Sequence, residues 1–168
     1  MRATYGRNLM AQRFLEMQKI ESFVPMRKRT VKVGSRIKTD LIPVVRDLIF
    51  VLGVRDEVQE AKSKIPYLHY ITRPQEGRNT PVEVPLEQMQ QFMAVCDTYN
   101  ENLTYLSPGE INIKKGTPIK IVGGEFDGIE GTFVKVKNSR KKRVVVMIQG
   151  LTAVMIAEIE DGYLQVLE

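Results

Sequence analysis

The chain has 168 residues, enough for one domain or two small ones, and its 43% hydrophobic content is that of an ordinary folded protein with a core. Cys96 is the only cysteine and His69 the only histidine, which excludes an internal disulfide and a Cys/His zinc site and leaves Cys96 as a small core residue. The net charge is only +5, no uncharged apolar run approaches the roughly 18 residues that span a bilayer, and no signal-peptide segment opens the chain, so a cytoplasmic protein is expected.

Residues 6–18 read as the first helix, because Met10, Phe14 and Met17 fall at i, i+4 and i+7 and make one apolar stripe. An extended segment follows from residue 22. Residues 23–39 then carry six basic residues, Arg27, Lys28, Arg29, Lys32, Arg36 and Lys38, and no acid, with Gly34 and Ser35 at the tip of a hairpin. A three-residue loop over 34–36 places Val33 opposite Ile37, Val31 opposite Thr39 and Lys32 opposite Lys38. Like charges directly across an antiparallel pair repel. Such a run is either a solvated face or a surface for an anionic partner, and the facing lysines favour the partner.

Residues 41–53 are nearly continuously apolar apart from Arg46 and Asp47, which suits a buried central strand over 48–52. A helix is expected over 56–64: Val58, Ala61 and Ile65 form its stripe, acids open it, Lys62 and Lys64 close it, and Pro66 stops it. A strand follows over 67–72, then a polar loop over 74–85. A third helix covers 86–97, with Leu86, Met89, Met93 and Cys96 on one side. Residues 98–110 hold no clear period and end in Ser107-Pro108-Gly109, so they read as a linker.

Beyond it almost every segment is strand-like. Residues 117–136 read as strand, glycine turn, strand: Ile119 and Ile121 alternate with Lys120, Gly123, Gly124, Gly128 and Gly131 crowd the connection, and a β-rich run resumes at Thr132. A phosphate-binding loop would open a helix whose first amides hold the anion, whereas strand residues follow here. There are 16 basic against 12 acidic residues through Pro108 and 9 against 8 after it. The nearly neutral C-terminal part is therefore not the expected chief nucleic-acid binder.

The pattern over 117–136 is that of a KOW module, a small barrel of transcription and ribosomal proteins. Further pieces precede it in order: a helix entered through Ala3-Thr4-Tyr5-Gly6-Arg7, a strand with Phe23-Val24-Pro25, the long hairpin, Leu48-Ile49-Phe50-Val51, and Ile65-Pro66-Tyr67-Leu68-His69-Tyr70-Ile71. With these, the chain resembles the NusG family of transcription elongation factors over nearly its whole length. Arg2-Ala3-Thr4-Tyr5-Gly6-Arg7 and Phe23-Val24-Pro25-Met26 are most similar to specialised members that act on long capsular-polysaccharide operons. The fold implied is α+β: an N-terminal α/β sandwich with an antiparallel sheet (the NGN domain) over 1–97, a linker over 98–110, and a small SH3-like β-barrel (KOW) over 111–168. The family's first strand opens with Trp-Tyr and this chain starts beyond that pair, so either the strand is short or residues precede Met1.

The resemblance also implies a function without chemistry. The first domain would dock on the clamp helices of the RNA polymerase largest subunit, through an apolar patch that falls on Val44, Val45, Leu48 and Phe50. The family's Pro-Gly-Tyr sits at Arg46, Asp47 and Leu48, which changes the turn and one aromatic anchor. The hairpin would lie near the DNA or RNA of the elongation complex, with Arg7, Arg27, Lys28, Arg29, Lys32, Arg36 and Lys38 as phosphate contacts that position the protein without reading bases. The KOW domain would capture a ribosomal or termination-factor partner at a face holding Phe126, Ile148 and Gln149, although Gln149 stands where the family has an apolar aromatic. A linker of about 13 residues, at most roughly 45 Å long, would keep that domain concentrated around the polymerase. A monomer without metal or cofactor is expected. No Ser/His/Asp or Cys/His set points to an enzyme. Within the family the departures at Arg46, Asp47 and Gln149 favour an operon-specific antiterminator over a general elongation factor. A ribosome-associated RNA binder with a KOW domain is the competing reading.

Overall fold

The computed structural model describes residues 1–99, 103–106, 116–135, 142–148, 152–157 and 164–167. They form an α+β structure with small antiparallel sheets. In chain order the elements are β1 (Arg2–Ala3), α1 (Asn8–Met17), β2 (Glu21–Phe23), β3 (Met26–Val33), β4 (Arg36–Pro43), β5 (Phe50–Leu52), α2 (Arg55–Ser63), β6 (Leu68–His69), β7 (Thr72–Gln75), β8 (Arg78–Pro81), α3 (Leu86–Cys96), β9 (Leu103–Leu106), β10 (Thr117–Ile121), β11 (Glu130–Lys135), β12 (Lys142–Ile148), β13 (Thr152–Ala157) and β14 (Leu164–Val166). None of the described helices is long and apolar enough to cross a membrane. Two compact units share the chain, and they do not follow its order: Met1–Pro25 with Pro43–Glu83, and Met26–Ile42 with Val84–Glu168.

In the first unit, β5 pairs with β2, and β1 pairs with β6. A bridge between Arg2 and Leu48 joins the two pairs, with Ala3 N–H donating to the Asp47 carbonyl at 2.7 Å and Ile49 N–H to the Met1 carbonyl at 3.1 Å. The stretch from Leu48 to Leu52 thus has neighbours on both sides, and its apolar run follows from that position: Leu48, Ile49 and Phe50 are all buried. The second helix also follows its pattern, with Val58, Ala61 and Ile65 buried, and it ends where Pro66 forbids another turn.

The face of α1 differs from the expected one. Met10 and Met17 are 58% and 71% exposed, while Asn8, Ala11 and Leu15 are buried. The methionine stripe and the Asn8/Ala11/Leu15 stripe both fit a helical period, so periodicity cannot choose between them. Ala11, at 0% exposure, lies on the face that α1 turns inward. Residues 74–85 also differ, since most of that polar loop is the hairpin of β7 and β8, with Gln75 opposite Arg78. Its turn, Glu76-Gly77, has φ of 50° and 75°, the two positive values of a type I′ turn. The exposed strands carry no apolar alternation that the sequence could have displayed. The strand expected over 67–72 is split between β6 and the start of β7.

The second unit holds a six-stranded antiparallel sheet in the order β14-β10-β11-β12-β13-β9. The glycine turn runs directly from β10 into β11 as a strand, with Gly128 N–H donating to the Ile121 carbonyl at 2.8 Å. Gly131 is required by close approach, because a Cβ there would lie 2.8 Å from the Val145 carbonyl oxygen. Strand β12 is buried on both faces through Val144, Val145 and Val146, since α3 packs against it. The Gln91 side-chain oxygen accepts from Glu130 N–H at 3.1 Å and ties α3 to β11 as well. On α3 the buried residues are Phe92, Val95 and Cys96, while Leu86 is exposed and Met89 and Met93 are half-buried. The stripe is therefore rotated from the expected one toward Phe92, the largest apolar side chain of the helix. The stretch read as a linker, 98–110, contains β9, which pairs along β13 from Leu106 opposite Ala153 to Leu103 opposite Ile156.

Candidate nucleic-acid interface

Strands β3 and β4 form the basic hairpin, and Arg27, Lys28, Arg29, Lys32, Arg36 and Lys38 are all exposed on it. Gly34 at the tip has φ of 62°, and only Gly34 and Ser35 lie between the strands. A two-residue turn shifts the pairing by one from the expected three-residue loop. The Thr30 and Thr39 hydroxyls meet at 3.3 Å, as that register requires. Lys32 consequently falls across from Ile37 and Lys38 across from Val31, so the two lysines stand on opposite faces, not against each other. Lys38 instead reaches Asp40 at 3.1 Å, two residues along its own strand. Among the described residues this is the hairpin's one ion pair between side chains. A charged arm with a single internal acid is accessible to an external anion on both faces.

Arg7 lies in the first unit, at the entrance to α1. Its guanidinium sits 5.5 Å from the Tyr5 ring centroid and 5.1 Å from that of Tyr67. Tyr5 is 79% exposed and has φ of 62°, a left-handed conformation that turns its ring toward the arginine. Both rings lie within cation–π distance of Arg7, each such contact contributing about 0.5–1 kcal/mol at an exposed site. Sequence reasoning singled out Arg7 but not the tyrosines, because Tyr67 reaches it only through the tertiary fold.

The candidate docking residues split into two kinds. Leu48 and Phe50 are 4% and 8% exposed, and the Phe50 ring lies 6.4 Å from that of Phe23. Val44 and Val45 are half-buried, so they are the accessible part of the patch. The loop between them is fixed from two directions. Asp47 has φ of 68°, a left-handed conformation that Asp tolerates better than most non-glycine residues. Its carboxylate accepts from Gly6 N–H at 2.5 Å. Asn8, buried at 1% exposure, donates its side-chain amide to the Leu48 carbonyl at 3.3 Å, and its side-chain oxygen accepts from Leu9 N–H at 3.1 Å. Asn8 was missed in the sequence; a polar residue in the first helical turn reads as a capping residue, and nothing local shows that it faces inward.

In the second unit Phe126 is half-buried in the glycine turn, where its carbonyl accepts from Ile129 N–H at 3.1 Å. Ile148 ends β12, and Gln149 lies outside the described residues. Cys96 is free and buried, and burial raises its thiol pKa to about 12. Among the described residues no three His, Cys, Asp or Glu side chains gather as a metal site. No family model matches the chain, and no curated protein matches it.

Proposed function

We propose that this protein is a transcription elongation factor of the NusG kind, which holds RNA polymerase in a processive state and suppresses termination on particular long operons. The first unit, an NGN-like structure in this reading, docks through the surface around Val44 and Val45. The six-stranded sheet is its KOW-like counterpart. The basic hairpin follows the nucleic acid of the elongation complex through phosphate contacts, and Arg7 makes a further one. The observation that carries the reading is the hairpin itself: six exposed cations with a single side-chain ion pair. Such a charge distribution favours an anionic polymer over a structural role.

In-vitro transcription through a pause and a terminator, with and without the full-length protein, tests the proposal. Shortened pausing and greater read-through are the expected results. A chain with no affinity for the cognate core polymerase at low ionic strength would refute it.

A further inference from the structure

At the base of the hairpin, within the second unit, a groove of about 310 Å³ opens between Met26, Arg27, Lys28 and Thr30 of β3 and Tyr99, Leu103 and Tyr105. This is the lower end of the size range of small-ligand sites, roughly 300–1,000 Å³. One wall is cationic and extended. The other is aromatic, supplied by Tyr99 and Tyr105. The Tyr99 backbone N–H donates to the Cys96 carbonyl at 3.1 Å, and the Tyr105 side chain lies near the buried Cys96 thiol. Tyr99 has φ of 49°, a left-handed conformation that a bulky residue rarely adopts. Strain of this kind persists where the surrounding structure dictates the backbone.

We propose that this groove takes one nucleotide of a single-stranded nucleic acid, with its base against Tyr99 and Tyr105 and its phosphate held by Arg27 and Lys28. The inference rests on the reading of the hairpin as a nucleic-acid arm and adds which form of nucleic acid it meets. Aromatic rings opposite a basic strand match the alternation of bases and phosphates in an unpaired chain. In a duplex the bases are stacked on each other and their faces are closed to protein rings, whereas the phosphates remain open to Arg and Lys. A purely electrostatic arm would therefore treat the two forms alike, and a groove with a stacking wall would not. An acidic peptide would satisfy Arg27 and Lys28 but leave the two rings without a matching surface.

Fluorescence anisotropy of the full-length chain tests this, with labelled oligothymidine and oligouridine of about 15 nucleotides, within the site size of single-strand binders, and a duplex of equal length. The expected result is tighter binding of one or both single strands than of the duplex. Tyr99→Ala should weaken single-strand binding by about five-fold or more and leave duplex binding unchanged, and Tyr99→Phe should retain it. Lys28→Glu should reduce the salt dependence by about one phosphate contact. The oligothymidine and oligouridine arms distinguish DNA from RNA. Equal affinity for single strand and duplex, with no effect of Tyr99→Ala in a variant whose circular dichroism is native, would overturn the groove. So would binding of polyglutamate in place of nucleic acid. A polymerase pull-down separates the two readings: single-strand binding that needs Tyr99 supports the groove even where polymerase is not retained, and retained polymerase without single-strand binding rejects the groove alone.

Discussion

The side-chain amide of Asn8 reaches the carbonyl of Leu48 at 3.3 Å, so a buried polar group on the first turn of α1 fixes the strand beside the accessible pair Val44 and Val45. Asn8→Ala leaves the buried Leu48 carbonyl without this donor. The expected cost is about 1–3 kcal/mol, read as a lower denaturant midpoint with an unchanged slope. Wild-type stability in that variant would show that the bond is not important to the first unit.

Val44 and Val45 should separate from Leu48 and Phe50 under mutation. Leu48→Ser removes a core side chain and should cost on the order of 2–5 kcal/mol, visible in thermal melting before any binding is measured. Val44→Glu and Val45→Glu together should leave the melting temperature nearly unchanged and abolish polymerase capture in a pull-down. Capture that persists would move the docking surface elsewhere.

The two faces of the hairpin should respond unequally to charge reversal. Lys32 has no ion-pair partner among the described residues, whereas Asp40 lies 3.1 Å from Lys38. Lys32→Glu should lower the slope of log affinity against log salt for elongation complexes by about one, and Lys38→Glu by less. Equal slopes for both variants and the wild type would remove the hairpin from the phosphate contacts.

Cys96 should be chemically silent in the native state and impose a pH limit. Its thiol pKa is raised from 9.0 to about 12, chiefly by burial. The unfolded thiol therefore ionises first, so the contribution of the neutral buried group is fully present below about pH 9 and is lost as pH rises toward 12. Ellman's reagent at about pH 8 should modify Cys96 only after denaturant is added. Rapid modification of the folded chain would show that the end of α3 opens.

Much of the architecture was legible in the sequence. Val58, Ala61 and Ile65 gave the second helix its buried stripe, and the alternation of Ile119 and Ile121 with Lys120 gave β10, because in both places one apolar pattern had no rival. It was not legible where two patterns competed, as in α1, or where a turn one residue shorter moved the hairpin's register. The α3 stripe shows a third cause: helical spacing alone cannot tell which side a sheet distant in the chain will cover. The hairpin's cations could be read directly, since charge needs no pairing partner to be seen. Asn8, Tyr99 and Tyr105 could not, because their roles depend on Leu48 and on the β3 wall of the groove, both distant in the chain.

The cover that α3 provides over β12 bears on how the polypeptide can be divided. A fragment cut after residue 98 would carry the strands but lose the helix, leaving one apolar face of β12 open to water. Such a piece would tend to self-associate. One that begins at Val84 retains its own lid, so proteolytic dissection should release the longer fragment.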